Sequence, residues 1–310
     1  MRTDIASSII YLKNKVHKWR NISFFFIIFS LVITLKFLFG NSSNNINVDT
    51  ISPYIAEIKI NNPIFEDAHR SKILTKIESQ DNIKAVILNV SSPGGGIVGS
   101  EILYNDLRKI ANKKPLIILM GSIAASGAYM ASLASDYIIA HNGTLTGSIG
   151  VMMQAPNINE LSKKIGFEVK NYKSSSVKGY PSLTEEFILQ NDAIIQDSID
   201  DSHKFFTELV IKRRSNKIKE KHHKIIFDGR VFNGRQALKY GLIDKIGFRE
   251  DAINYLISLD KKFQDLPIKE VTISKKEQKL LKKFTNLLPF FDINFSSASF
   301  SNSQIMAISN

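Results

Sequence analysis

Cysteine is absent from all 310 residues, which removes disulfide bonds, thiolate zinc sites and a cysteine nucleophile together. The same absence says nothing about redox compartment. Histidine is scarce, and its six copies include no His-x-x-His or His-Glu-x-x-His spacing, so a metal centre has little support and no cofactor is expected. Internal repeats are also missing. Any chemistry must therefore run on oxygen or nitrogen groups. What is present is a hydrophobic fraction of 44%, enough to fill one large domain or two small ones, which excludes a disordered tail or a mini-protein.

Acid is in short supply relative to base: 41 Lys and Arg face 29 Asp and Glu, for a net charge of +12. Part of that excess is concentrated at the start, where Arg2, Lys13, Lys15, Lys18 and Arg20 oppose Asp4 alone. Directly after them runs Ile22 to Phe39, 18 residues broken by the single charge of Lys36. At a helical rise this run measures about 27 Å, close to the hydrocarbon thickness of a bilayer. Gly40-Asn41-Ser42-Ser43 does not read as a small-x-small cleavage site, so residues 22–40 read as an uncleaved transmembrane anchor. The basic segment 1–21 is expected to stay in the cytoplasm, with everything beyond the anchor on the far side. Basic runs such as Lys212-Arg213-Arg214 lack interleaved aromatics or a recognition motif, and nucleic-acid binding is not expected.

Residues 41–50 are polar and read as a linker. Beyond them strand and helix patterns alternate: strand Tyr54 to Ile60, helix Asp67 to Ser79, strand Ala85 to Val90, helix Gly99 to Ala111, strand Leu116 to Met120, short helix Ser126 to Ala134, strand Tyr137 to Ala140. This rhythm predicts an α/β fold with a mostly parallel sheet and flanking helices. A long amphipathic helix is predicted from Thr184 to about Lys221, opened by a capping-box style Ser182-Leu183-Thr184-Glu185-Glu186. The folded domain is assigned to residues 51–270. Residues 271–310, with Leu287-Leu288-Pro289-Phe290-Phe291 and a Ser- and Asn-rich end, read as a tail that is mobile or docks on a partner.

Ligands of open parallel sheets bind at the carboxyl ends of strands, so the turns there carry the candidate chemistry. Ser92-Pro93-Gly94-Gly95-Gly96 follows the strand AVILNV, and its glycines permit a backbone that offers N–H groups at close range. Gly121 to Tyr129 follows LIILM and holds Ser126, a candidate nucleophile at a helix start, with Ser122 as competitor in the same turn. The bland alternative for Ser126 is an N-cap. Thr146-Gly147-Ser148-Ile149-Gly150 comes next, then a loop bearing Lys173 and Lys178. A desolvated lysine can serve a serine as base. His141, before the Asn142-Gly143 turn, keeps a Ser-His-Asp arrangement open as a lesser alternative.

Taken in this order, the segments resemble the signal peptide peptidase A family, the membrane-anchored serine proteases of peptidase family S49, over roughly residues 51–247. Ser92 to Gly95 match the SPGG type. Ala125-Ser126-Gly127-Ala128-Tyr129 match the ASGGY type, with Ala128 in place of the second glycine. Thr146 to Val151 match TGSIGV. Lys178 aligns with the family's lysine, although Ser175 replaces a glycine and the spacing to Pro181 is shorter. Asp228 to Ala237, running into Gly241-Leu242-Ile243-Asp244, match a signature shared with the wider crotonase-like superfamily.

The resemblance implies a ClpP/crotonase-like fold and a Ser-Lys dyad: Ser126 as nucleophile, Lys178 as base, Ser148 positioning the lysine, and the N–H groups of Gly95 and Gly127 as oxyanion hole. It also implies a homo-oligomer whose active site is shared between subunits, peptide substrates such as signal peptides left in the membrane, and a bacterial inner-membrane location with the catalytic domain on the periplasmic side. Two other readings stand beside it: an acyl-CoA hydratase-like enzyme, which would need an acidic pair near the oxyanion glycines, and an anchored scaffold that has lost catalysis.

Overall fold

The computed structural model describes residues 13, 15–31, 52–273 and 306–308. The chain divides into two compact units, Met1–Thr50 and Ile51–Asn310.

The first unit contains one described helix, α1, over residues 15–31. It includes residues 22–31 of the apolar run, and Phe24, Phe25, Phe26, Ile27 and Ile28 are all exposed on it. Residues 32–40 of the expected anchor lie outside the described residues. Among the described residues no helix is long and apolar enough to cross a membrane.

The second unit is an α/β fold on a mostly parallel sheet. In chain order it runs β1 (Tyr54–Ile60), α2 (Ala68–Ser79), β2 (Ile83–Ser92), β3 (Gly94–Gly96), α3 (Ile97–Ala111), β4 (Leu116–Ala125), α4 (Gly127–Ser132), β5 (Tyr137–Ala140) and β6 (Leu145–Gly147). There follow α5 (Asn159–Lys164), α6 (Leu189–Arg214), α7 (His223–Ile226), β7 (Val231–Asn233), α8 (Gly234–Tyr240), β8 (Lys245–Ile246), α9 (Arg249–Leu259), β9 (Ile268–Val271) and β10 (Met306–Ile308). The main sheet is ordered β7-β6-β4-β2-β1-β9, with β5 beside β4 and β8 beside β5. All its pairings are parallel except β6 with β7.

The central strands are near-continuous apolar runs because helices cover both faces. Ile55, Ala85, Ile87, Ile117, Leu119 and Ile139 point to the face that Ala252 and Leu256 of α9 close. Alternate residues, among them Ala56, Val86, Leu88 and Ile118, are buried toward the other face. There α3 packs on β4, and α4 on β2 and β4.

Three expectations need correction. β4 does not stop at Met120 but continues to Ala125, because it changes partners along its length. Its first half pairs with β5 (Ile117↔Tyr137 to Met120↔Ala140) and its last residues pair with β6 (Ile123↔Leu145 to Ala125↔Gly147). The long helix begins at Leu189 and ends at Arg214, with no side-chain cap. The acids expected to cap it are engaged elsewhere: Glu185 pairs with Lys173, and Glu186 with Lys163 of α5 at 2.8 Å. Finally, the boundary placed at 270 falls inside β9, which pairs in parallel with β1 (Ile55↔Ile268 to Ile58↔Val271). The Leu287 to Phe291 patch lies outside the described residues.

The C-terminal end of α6 is tied to the sheet by an ion cluster. Arg214 Nη1 lies 2.9 Å and Lys217 Nζ 2.5 Å from the two carboxylate oxygens of Asp244, which also accepts the Ile138 N–H at 2.7 Å. Arg214 Nε donates to the Gly241 carbonyl at 2.9 Å. Burial pushes the Asp244 carboxyl up, but the bonds and charge of Arg214, with those of Lys217 and Ile138, outweigh it and hold it below its ordinary value. A depressed folded pKa gives stability that is present above the unfolded value and lost as pH falls through the folded one. Asp244→Asn should therefore lower unfolding free energy at pH 7 by about 3 kcal/mol or more, since it leaves Arg214 buried without its counter-charge. Urea denaturation should show this gap narrowing as the pH drops below about 4.

Candidate active site

The site is built where β4 leaves β5 for β6. Between Val90↔Met120 and Ser92↔Ala124 the register with β2 shifts, so that Gly121 to Ile123 of β4 stand opposite Ser91 alone and β4 carries two extra residues. A bulge of this kind re-aims the strand end. Ser122 is an exposed residue of that strand and not part of a turn. Ser126 follows Ala125 directly at the start of α4.

Ser126 has φ 54° and ψ −123°, a region costly for any residue with a Cβ. Its N–H donates to the Gly147 carbonyl at 2.8 Å, and its carbonyl accepts from Met130 N–H at 2.9 Å. These two bonds lock the backbone in that conformation. The residue is fully buried, yet its Oγ caps nothing and has no hydrogen-bond partner among the described residues. That disposes of the N-cap reading. A buried hydroxyl without a partner is costly and rare.

Ser148 follows Gly147, the residue paired with Ala125, which puts it beside Ser126. Among the described residues it is the other non-glycine residue with positive φ, at 49°. It is buried, with its N–H donated to the Arg230 carbonyl at 2.9 Å.

The glycine turn after β2 is brought to the same place. Gly94 O accepts from Ile64 N–H at 2.7 Å and Gly96 N–H donates to Ile64 O at 3.0 Å. Backbone groups alternate along a strand, so the N–H of Gly95 points the other way. A Cβ on Gly95 would sit 2.0 Å from the Ile64 carbonyl oxygen, which is why no side chain is tolerated there. A Cβ on Gly127 would sit 3.3 Å from the Gly95 nitrogen. The two expected amide donors are thus neighbours, and one of them immediately follows Ser126.

Two side chains support this arrangement: Ser92, which the sequence showed only as part of the glycine motif, and Ser100, which it did not single out. Ser92 Oγ donates to the Asn62 carbonyl at 2.8 Å and accepts the Gly94 N–H at 3.2 Å, bracing the glycine turn. Ser100 Oγ donates to the Gly96 carbonyl at 2.9 Å and would lie 2.1 Å from a Cβ on Gly127. A small residue one helical turn after the last of three glycines was the available signal.

The structure does not join Lys178 to this group. Lys178 is exposed and its backbone N–H donates to the Ser175 carbonyl at 3.2 Å. Neither Ser126 nor Ser148 is hydrogen-bonded to it among the described residues. Its loop rests on the first turn of α6, where Asn191 Nδ2 donates to the Ser176 carbonyl at 3.3 Å and the Tyr180 hydroxyl bonds Asp192. Lys173, the alternative base, is engaged with Glu185, whose carboxyl its hydrogen bond holds low. This whole arm carries exposed apolar residues, including Ile165, Phe167, Tyr172, Phe187 and Leu189. His141 lines a separate cleft of about 270 Å³ with Glu57, Asn89 and Arg249. Its ring lies 5.0 Å from that of Phe248, and it does not bond Ser126.

A buried serine at positive φ, with two backbone amides and a second serine alongside, is an arrangement that suits a serine-type peptidase. Sequence comparison agrees: residues 108–262 match the model of peptidase family S49. The chain is 33% identical over 210 residues to putative protease slr0021 of Synechocystis, covering 66% of this chain and 74% of that protein. It is 31% identical over 250 residues to putative protease MJ0651 of Methanocaldococcus jannaschii, covering 76% and 80%. A putative signal peptide peptidase SppA of Enterococcus faecium is 35% identical over 201 residues, 64% of this chain and 57% of that protein. Among solved structures, ClpP1 from Listeria monocytogenes overlaps at a TM-score of 0.41 and 15% identity, covering 63% of this chain and 93% of that one. This chain belongs to peptidase family S49.

The close approach of Ser100, Gly127 and Gly95 is open to measurement. Gly127→Ala should overpack the site and cost about 1–3 kcal/mol. In a Ser100→Ala background, which removes the nearest clashing atom, the same change should cost distinctly less. Thermal unfolding of the four chains checks this; a Gly127→Ala penalty unaffected by Ser100 would show that the two do not press on each other.

Proposed function

We propose that this protein is a membrane-anchored endopeptidase in which Ser126 is the nucleophile and Lys178, supplied by a neighbouring copy, is the general base. The observation that carries this reading is the Ser126 hydroxyl: buried, held at positive φ and without a partner beside the Gly95 and Gly127 amides. The exposed lysine and the apolar surface of its arm supply the complementary half. Large contiguous apolar surface on a folded domain favours association. Burial against a second copy would exclude water from the arm, and a lysine acts as a base only once desolvation leaves its amine neutral.

The chemistry then balances within the site. The neutral lysine Nζ takes the proton of Ser126 Oγ–H as Oγ bonds to the peptide carbonyl carbon. The Gly95 and Gly127 N–H groups hold the oxyanion, an arrangement worth about 3–4 kcal/mol per donor in a comparable protease. The ammonium returns its proton to the departing amine. Water then attacks the acyl-serine carbonyl, its proton passing to the same lysine; as the C–Oγ bond breaks the ammonium gives that proton to Oγ, which restores Ser126 and the neutral amine and releases the new carboxyl terminus. The Ser148 hydroxyl keeps that nitrogen in register.

Residues 22–40 would anchor the chain in the bacterial inner membrane with the catalytic unit on the periplasmic side, as the basic flank favours. Apolar peptides left in the bilayer, such as cleaved signal peptides, are the substrates within reach of a site so tethered. The Enterococcus relative, a putative signal peptide peptidase, supports the same reading.

Ser126→Ala and Lys178→Ala should each reduce kcat/KM for an apolar peptide by roughly 10³-fold or more, with the folded state intact. Lys173→Ala should have a far smaller effect. Because the base must be neutral, wild-type kcat/KM should climb as pH rises through the lysine's pKa and then level off. Mixing Ser126→Ala chains with Lys178→Ala chains should restore activity, since some sites then combine an intact serine with an intact lysine. Absence of recovery would place both groups in one chain. Removal of residues 1–50 should move the protein from the membrane pellet to the supernatant in a fractionation assay.

A further inference from the structure

The peptide between Gly147 and Ser148 is fastened on both sides. Its carbonyl accepts the Ser126 N–H at 2.8 Å, and its own N–H donates to the Arg230 carbonyl at 2.9 Å. Gly147 and Ser148 stand at φ 79° and 49°, so the chain leaves the strand conformation there. Up to that point it is paired: β6 runs antiparallel to β7 through Gly147↔Val231, which makes Ser148 and Arg230 the next pair of the ladder. A hydrogen-bonded antiparallel pair exchanges two bonds. Here one is made and the other is diverted, because the Arg230 N–H donates to Asp228 Oδ1 at 3.1 Å and not to the Ser148 carbonyl. A carboxylate accepts more strongly than a carbonyl. Asp228 is kept ionised by Arg230, whose side-chain hydrogen bonds hold the carboxyl below its ordinary value. Arg230 Nε lies 2.9 and 2.8 Å from its two oxygens. Gly229, at φ 86°, makes the turn between them, and a Cβ on Gly150 would sit 3.0 Å from its Cα.

We propose that Asp228 is a positioning residue for the peptidase reaction: by taking the Arg230 N–H it ends the β6–β7 ladder one pair short and leaves Ser148 free to turn to positive φ beside Ser126. The inference rests on the protease reading, in which the Ser148 hydroxyl holds the lysine nitrogen. Asp228 acts through the Arg230 backbone and Ser148, and not on the reacting atoms. Without an acceptor at residue 228 the Arg230 N–H would close the pair on the Ser148 carbonyl and draw Ser148 toward strand angles. The shared peptide would turn with it, so that the Ser148 hydroxyl and the Gly147 carbonyl that holds Ser126 are both displaced. The guanidinium of Arg230 fixes the carboxylate, but the part that decides the turn is the acceptor oxygen.

The test is made on the full chain. Asp228→Ala should lower kcat for an apolar peptide about tenfold or more and leave KM within about twofold. Asp228→Asn, which keeps an acceptor oxygen, and Arg230→Ala, which keeps the backbone N–H and the carboxylate, should stay within about threefold of the wild-type kcat. In a chain carrying both Asp228→Ala and Ser148→Ala the loss should fall at least about threefold short of the product of the two single losses. If the alanine chain does not fold, Asp228→Glu, with its acceptor one methylene further out, is expected to give a smaller loss of the same kind. A crystal structure of the Asp228→Ala chain should show Ser148 at negative φ with the Arg230 N–H on its carbonyl. A wild-type kcat in Asp228→Ala and Asp228→Glu, a fall in Asp228→Asn as deep as in Asp228→Ala, losses that multiply with Ser148→Ala, or Ser148 still at positive φ overturns the proposal. Ser148 turned in the Asp228→Ala crystal while the wild-type chain cleaves no peptide would instead sink the protease reading and leave the backbone device in place.

Discussion

One strand serving two neighbours is the constraint from which this domain's site follows. β4 is held by β5 over its first half and by β6 over its last three residues, and the register shift at Gly121 to Ile123 is what makes the change possible. Without that shift Ala125 would not lie beside Gly147, the Ser126 N–H would have no carbonyl to donate to, and the residue would relax out of positive φ. The strain at Ser126 and at Ser148, of order 1–3 kcal/mol each, is maintained by pairings made elsewhere in the sheet. The buried Arg214 and Asp244 pair fastens the end of α6 to the start of β5.

The second feature of the site is the separation of Ser126 from Lys178. Ser92 and Ser100 brace the glycine strand, Gly127 lies against it, and the serine hydroxyl is enclosed. Everything that needs sub-ångström placement is on the rigid sheet. The lysine is on an arm whose apolar residues face solvent in the single chain.

The order of strands and helices was legible from residue 54 to residue 140, because each central strand is an apolar run bounded by polar or small residues, and each helix carries a periodic face. Ser126 with its glycine neighbour, the glycine turn and Ser148 were legible as small-residue segments after strands. Ser122 against Ser126 was not separable, since the choice depends on how far β4 continues, and that is set by pairing with β6. The start of α6 was misread because Glu185 and Glu186 look like capping acids until Lys173 and Lys163 are seen to hold them. The boundary at residue 270 failed for a similar reason: Ile268 to Val271 is too short to read as a strand unless β1 is known to have a free edge.

The amino-acid sequence by itself determined the α/β class, the apolar run near the start and the kinds of group available for catalysis, since these depend on local pattern and on residue type. The approach of Gly95 to Gly127, the backbone angle of Ser126 and the isolation of its hydroxyl were decided only in the tertiary structure. Each depends on partners tens to hundreds of residues away, brought together by sheet register, and no local pattern encodes register between strands so far apart.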